Sequence, residues 1–305
     1  MPKITKLATK LLRKSSGQKV KNGDTLLVWY DGTLTNGDRF DANYDFNTFA
    51  IPTPSPGYFQ FNQGFIVEPR PFSPFEFVIG AGNVIKGWDE AFSSGRRVGE
   101  VIELQIPWKL AYGKDGAGSI PPKSDLTFTI EVLGGLPENE TVPNFPTLED
   151  IGINAKNIGL KTSDLSNIQS SKIGLDGRDR MIGDNTNDLL IGLAGNDRFM
   201  GAAGADRLIG GGGNNRFIYT DISDSPNLEG ERDIIFGFQS KKDKFNFRAL
   251  EAKQTYIGEK KFSGSAGEIR FKDKTLMIDV NGDQSADLSI ELPGVKSLSD
   301  SNFLI

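Results

Sequence analysis

The stretch GLDGRDRMI (174–182) is followed without a break by GDNTNDLLI (183–191), GLAGNDRFM (192–200), GAAGADRLI (201–209) and GGGGNNRFI (210–218). Each unit opens with Gly, carries Asp or Asn at its sixth place and an apolar residue at its eighth. A flexible glycine-rich linker has no reason to keep apolar residues in phase. A strict nine-residue period instead marks a stack of small units, none able to bury its apolar face alone.

Working outward, the composition changes abruptly ahead of the repeats. Residues 136–157 mix Gly, Pro, Asn and acidic side chains and read as a linker. Residues 1–135 form one expected domain and residues 158–305 another, a division that suits a chain of 305 residues. In the first domain, Thr25–Tyr30, Val101–Ile106 and Leu126–Val132 alternate in the manner of strands between turn signals. One short helix is expected over Ile85–Ser93, where Ile85, Trp88 and Phe92 share a face. The economical packing is an antiparallel sheet wrapped around that helix. Residues 46–74, crowded with Phe, Tyr and Pro and lacking a clean period, read as an inserted loop, either a self-packed hairpin or a lid.

Composition narrows the chemistry. There is no cysteine, which excludes disulfides, thiolate metal sites and a cysteine nucleophile. There is no histidine, which removes the commonest general base and transition-metal ligand. A net charge of -5 argues against nucleic acid as the main partner and suits a cation. No apolar run approaches the roughly 20 residues of a membrane span, and the N-terminus lacks the apolar core of a signal peptide.

Five segments, in order, carry a family resemblance: Val28–Gly32, Gly37–Asp41, Val84–Glu90, Ala111–Gly113 with Ile120–Pro122, and Leu126–Phe128. Together they resemble the FKBP-type peptidyl-prolyl isomerases, a family whose fold is an antiparallel sheet around one helix. The resemblance implies catalysis of rotation about X-Pro bonds of proline-containing polypeptides, without a cofactor. It implies a pocket lined by Tyr30, Phe40, Val84, Ile85, Trp88, Tyr112, Ile120 and Phe128, with Trp88 as floor, Asp41 beside it and the Tyr112 hydroxyl offered to a peptide carbonyl. Phe75 and Phe77 align with two further aromatics of the family. The arginine that pairs with the aspartate in the family has no counterpart here, Phe46 standing near its place, and the rim loop Lys114–Ser119 is short, which implies a more open rim. Such aromatics also serve as plain core, and Asp41 as a turn residue.

The repeats resemble the RTX nonapeptide, and the resemblance implies a calcium-binding parallel β-roll, so that the whole chain is mainly β. Glycines allow tight turns and leave carbonyls exposed, the sixth-place Asp179, Asp188, Asp197 and Asp206 supply charge, and the eighth-place apolar side chains point inward. Ca2+ would sit between successive turns. Thr186, in place of a glycine, and Asn215, in place of the aspartate, predict weaker binding at the edges. Asp279–Asp283 reads as a hairpin turn or as another ion site. The last residues, Asp300–Ile305, place exposed apolar side chains after a polar run, like the uncleaved C-terminal signals of type I bacterial secretion, which implies a secreted or surface location and the type I apparatus as a partner. Three functions remain open: an exported isomerase, a catalytically silent peptide-binding module on the same fold, and a calcium-dependent structural protein.

Overall fold

The computed structural model describes residues 3–43, 59–61, 64–66, 74–139, 146–251 and 253–305. The main division between its two compact units falls between Gly152 and Ile153. Among the described residues no helix is long and apolar enough to cross a membrane.

The first unit is built on a six-stranded antiparallel sheet. Strand Thr25–Leu34 pairs on one side with Leu126–Leu136, which in turn pairs with Val101–Ile106, and that with Ala8–Arg13. On its other side it pairs with two strands in succession, Arg39–Ala42 against Asp31–Thr33 and Phe75–Val78 against Thr25–Val28. The aromatic segment 46–74 interrupts this edge. Apart from the paired strands Phe59–Phe61 and Gly64–Ile66 and Pro74, it lies outside the described residues.

Alternation decides which face is core: Ile102, Leu104 and Ile106 are fully buried while Glu103 and Gln105 between them are half-exposed. The helix Lys86–Ser93 lies on that buried face through Trp88, Ala91 and Phe92. Gly87 permits its close approach, because a Cβ there would fall 2.5 Å from Ile106 Cγ2. Strand Ala8–Arg13 turns an apolar residue outward and a charged one inward. A bulge between Leu11 and Arg13 leaves Leu11 39% exposed and buries Arg13 to 1%. Arg13 pairs with the buried Glu131 carboxylate at 2.5 Å and donates through Nε to the Gly99 carbonyl at 2.9 Å. Within the segment read as a linker, Thr147–Gly152 is folded: Leu148 and Ile151 are buried, and Ser16 N donates to the Asp150 carbonyl at 2.8 Å.

The second unit contains the parallel roll. Consecutive nonapeptides alternate between two sheets, so neighbours within a sheet are 18 residues apart. The five-stranded sheet runs Arg180–Ile182, Arg198–Met200, Arg216–Ile218, Lys244–Asn246 and Phe303–Leu304. The eight-stranded sheet has a parallel part, Ser170–Ile173, Asp188–Ile191, Arg207–Ile209, Asp233–Phe236 and Leu288–Glu291, extended by the antiparallel strands Thr275–Asp279 and Glu268–Lys272 and a short parallel edge, Thr255–Tyr256.

All five eighth-place side chains are buried in one core. On the five-stranded side they form a ladder, Met181, Phe199, Phe217, Phe245 and Phe303, in register. Phe199 stacks on Phe217 at 5.0 Å, and Phe245 on Phe303 at 5.9 Å. The apolar C-terminal residues therefore depart from the expectation of exposure: of Phe303, Leu304 and Ile305 only Ile305 is exposed, because Phe303 extends the ladder and is 6% accessible. The stretch Asp279–Asp283 is a turn, since Asp279 accepts from the amides of Gly282 and Gln284 at 2.7 and 2.9 Å, and Asp283 from that of Ser285 at 2.8 Å.

The Arg13–Glu131 pair generates a stability test. Replacing one partner leaves a buried charge deprived of its counter-ion, at a cost of about 3–5 kcal/mol. Arg13→Met should lower the denaturation midpoint accordingly, while the double substitution with Glu131→Leu should recover much of the loss; equal midpoints for parent and single variant would contradict the pair's role.

Candidate functional site

The residues expected to line a proline pocket do come together in the first unit. Trp88, 4% exposed, stands at the centre, with the rings of Tyr30, Phe128 and Phe77 around it at 5.5, 5.2 and 5.5 Å, all edge-on. Phe40 meets Phe128 at 5.5 Å, and Phe75, partly exposed, meets both Tyr30 and Trp88 at 5.8 and 5.9 Å. Val84 and Ile85 pack on the same cluster at half-exposed positions just ahead of the helix. Ile120 is buried within a tight turn, its amide donating to the Ala117 carbonyl at 2.8 Å and its carbonyl accepting from Ala117 N at 3.0 Å. Gly32 makes room for this arrangement, because a Cβ there would lie 2.7 Å from Phe128 and 2.8 Å from Phe40.

The polar groups are few. Tyr30 donates its hydroxyl to Asp41 at 2.8 Å, so a tyrosine holds the aspartate for which no arginine was found. The neighbouring Arg39 turns instead to Asp31, at 2.6 Å. Burial raises the Tyr30 hydroxyl above its ordinary value, and the bond to Asp41 raises it further. Burial and then the Asp41 charge also raise Tyr112, which is 40% exposed. Both phenols therefore stay protonated donors at neutral pH. The Trp88 Nε1 donor is buried and unpartnered among the described residues.

In the second unit the sixth-place residues form two columns, one beneath each sheet, buried except for the half-buried Asp179. One contains Asp179, Asp197, Asn215 and Asp243, and each member after Asp179 accepts the backbone amide of its predecessor at 2.9–3.1 Å. The other contains Asp188, Asp206 and Asp233, bonded likewise at 2.8 and 2.9 Å. The second oxygen of Asp179, Asp188 and Asp243 caps its own turn, taking the amide of Leu175, Asp184 or Gln239 at 2.8 Å. Asp188 Oδ1, Asp197 Oδ2 and Asp206 Oδ2 are buried with no hydrogen-bond partner among the described residues. Burial pushes Asp179 up to about 6 and Asp197 up to about 7. Asp206 and Asp233 are also raised, by burial and, for Asp206, by the Asp233 charge.

Comparison with known proteins places both units. Residues 16–133 match the family model described as FKBP-type peptidyl-prolyl cis-trans isomerase. FK506-binding protein 2 of Dictyostelium discoideum is 42% identical over 117 residues, covering 38% of this chain and 68% of that protein. The chain belongs to the FKBP-type isomerase family. FK506-binding protein 2 of Yarrowia lipolytica is 38% identical over 43% of this chain and 76% of its own length, and FK506-binding protein 1 of Kluyveromyces lactis is 38% identical over 40% and 89%. Residues 154–305 match the model described as Peptidase M10 serralysin C terminal, so the isomerase domain is joined to a tail of RTX type.

The donor set of that tail suits a hard cation. Its buried groups are carboxylate and carbonyl oxygens, three of the carboxylate oxygens lack partners, and glycine lets successive carbonyls crowd together. A Cβ on Gly195 would fall 1.8 Å from the Gly177 carbonyl oxygen, and one on Gly213 1.6 Å from that of Gly195. Asp179, Asp188, Asp197 and Asp206 could hold such an ion together with backbone carbonyls, since no three acidic side chains converge among the described residues. Adjacent carboxylates in a column come from alternate units, not successive ones.

Two members of the columns, Asp233 and Asp243, were not singled out from the sequence. Their signature was Asp two places before a buried aromatic or aliphatic residue, outside the nine-residue phase. Asn215, expected at an edge, lies inside its column because Asp243 continues beyond it.

The raised carboxylates fix a pH dependence. Their folded values lie above the ordinary value near 4, so their contribution to the stability of the ion-free tail is fullest below that value and is lost as pH rises through 6 to 7. In chelator, thermal unfolding of the tail transition should therefore move to lower temperature between about pH 5 and pH 8. Millimolar calcium should restore it at the higher pH with release of protons. A transition that rises with pH in chelator would overturn this account.

Proposed function

We propose that this chain is an exported bacterial prolyl isomerase, with the shell of Tyr30, Phe40, Val84, Ile85, Trp88, Ile120 and Phe128 receiving the proline and the roll folding on calcium outside the cell. The observation that carries the reading is the edge-on aromatic cluster centred on Trp88, with hydroxyl donors at its margin and no acid inside it.

Rotation about an X-Pro bond breaks no covalent bond and needs neither nucleophile nor metal, in keeping with a chain that has no cysteine or histidine. The barrier of about 18–20 kcal/mol is amide resonance, which places partial charge on the carbonyl oxygen. In the twisted transition state that resonance is lost and the amide is less polar. An apolar enclosure therefore favours the twisted state over the planar one, and each 1.4 kcal/mol of that difference is about tenfold in rate. The Tyr112 hydroxyl would hold a peptide carbonyl, and Asp41, oriented by Tyr30, would set the polar margin.

Export by a type I system is supported by the match of residues 154–305 to the serralysin C-terminal family. Calcium binding is supported by the partnerless buried carboxylate oxygens. Millimolar calcium outside a cell falls in the range that extracellular oxygen sites use.

The test is the catalysed cis-trans rate on a short X-Pro peptide. Tyr112→Phe, which removes a single exposed hydroxyl, should lower kcat/KM about two- to tenfold, and Trp88→Leu by more than that, with circular dichroism confirming the fold. A folded parent without activity that still holds the peptide would replace catalysis by peptide capture.

A further inference from the structure

The outer face of the five-stranded sheet carries a file of cations. Arg180, Arg198, Arg216 and Lys244 are register partners on adjacent parallel strands, so they follow one another at about 4.8 Å. Two residues earlier on each turn runs a second file, Arg178, Asn196, Asn214 and Lys242. The sixth-place acid between the files turns inward, and the fifth and seventh places face out; all but the half-exposed Lys244 are exposed. All of these side chains but Arg180 line, with Asn215 and Leu304, a groove of about 320 Å³, and no acidic residue lines it.

None of the six cations makes an ion pair among the described residues. Like charges directly opposed across paired strands are destabilising, and arginine does not shed its proton to escape. The corresponding row of the other sheet, Ser171, Leu189, Arg207 and Ile234, has a single cation. The accumulation is therefore particular to one face, and it runs against the net charge of -5 of the whole chain.

We propose that this face binds an extended anionic polysaccharide, a chain of uronate sugars with one carboxylate on each ring. Such a chain repeats its charge at every sugar, a spacing close to that of the strands. Arginine forks hold carboxylates through paired hydrogen bonds. Asn196 Oδ1 accepts from both the backbone and side-chain amides of Asn214, at 2.8 and 3.2 Å, leaving Asn196 Nδ2 to donate to, and Asn214 Oδ1 to accept from, sugar hydroxyls. Single-stranded nucleic acid is held by aromatic stacking platforms, and no aromatic side chain lines the groove. A membrane surface calls for apolar insertion beside the cations, and Leu304 alone is apolar there.

The experiment uses the full chain in calcium and follows a short oligogalacturonate by calorimetry at low ionic strength. Binding should weaken with added salt, and a neutral oligosaccharide of equal length should not bind. The exposed pair Arg198→Gln with Arg216→Gln should weaken the oligogalacturonate at least about tenfold while leaving the isomerase rate on an X-Pro peptide unchanged. Three outcomes would overturn the assignment: no binding by the parent, equal binding by the double variant, or binding of a single-stranded oligonucleotide or phosphatidylserine vesicles as tight as that of the oligouronate.

Discussion

A carboxylate turned inward at the sixth place of four of the five repeat units is the constraint from which the architecture of the tail follows. These acids cannot simply be exchanged for apolar residues, because Asp197, Asp206, Asp233 and Asp243 accept the amide of a column neighbour, and Asp179, Asp188 and Asp243 cap their own turns. Nor can they all stay charged without help, because burial and mutual repulsion favour the protonated form. The columns meet this conflict in different ways. Asn215 interrupts one with a neutral amide, and the other ends where Tyr219 donates its hydroxyl to Asp233 at 2.9 Å. A divalent cation held there would resolve the rest by supplying charge where a proton is otherwise needed, and would tie order in the tail to the ionic medium.

The isomerase unit obeys the opposite rule. Its central side chains are aromatic and uncharged, and its one nearby acid lies at the margin, bonded to Tyr30. The geometry is set by packing alone: Gly32 leaves the space that Phe40 and Phe128 occupy, and Gly87 brings the helix, and Trp88 with it, down onto Ile106. A reaction whose barrier is resonance within the substrate asks for this kind of enclosure and for little else.

Both folds were legible in the sequence where period and side chain agree. The eighth-place series projected inward as expected, and so did the aromatic set around Trp88. Legibility failed where tertiary pairing overrode local pattern. Strand Ala8–Arg13 buries its arginine and exposes Leu11, because a bulge shifts the register and Glu131 awaits the charge. Asp233 and Asp243 were hidden by the longer intervals before them, 27 and 28 residues in place of 18. Thr186 takes the place of a glycine, and the Cβ clash that forbids a side chain at Gly204 is with the carbonyl of Thr186 itself. The end of the chain read as exposed because an aromatic ladder built from Phe199, Phe217 and Phe245 cannot be seen to close on Phe303 until the strands are in register.

The two surfaces of one strand set belong to a single electrostatic problem. On the five-stranded sheet place seven carries cations outward, at Arg180, Arg198 and Arg216, and place six turns inward beside it, so Asp179 and Asp197 lie directly behind Arg178, Arg180 and Arg198. Ionised and unaccompanied, the column would draw down the positive potential of the outer face; neutralised by a proton or over-neutralised by a divalent ion, it would not. An anion on the outer face and a cation in the column would then favour one another, and by reciprocity each would tighten the other by the same factor. With both proposed ligands bound, the seventh-place arginines would make the outside of the roll responsive to the cation within it.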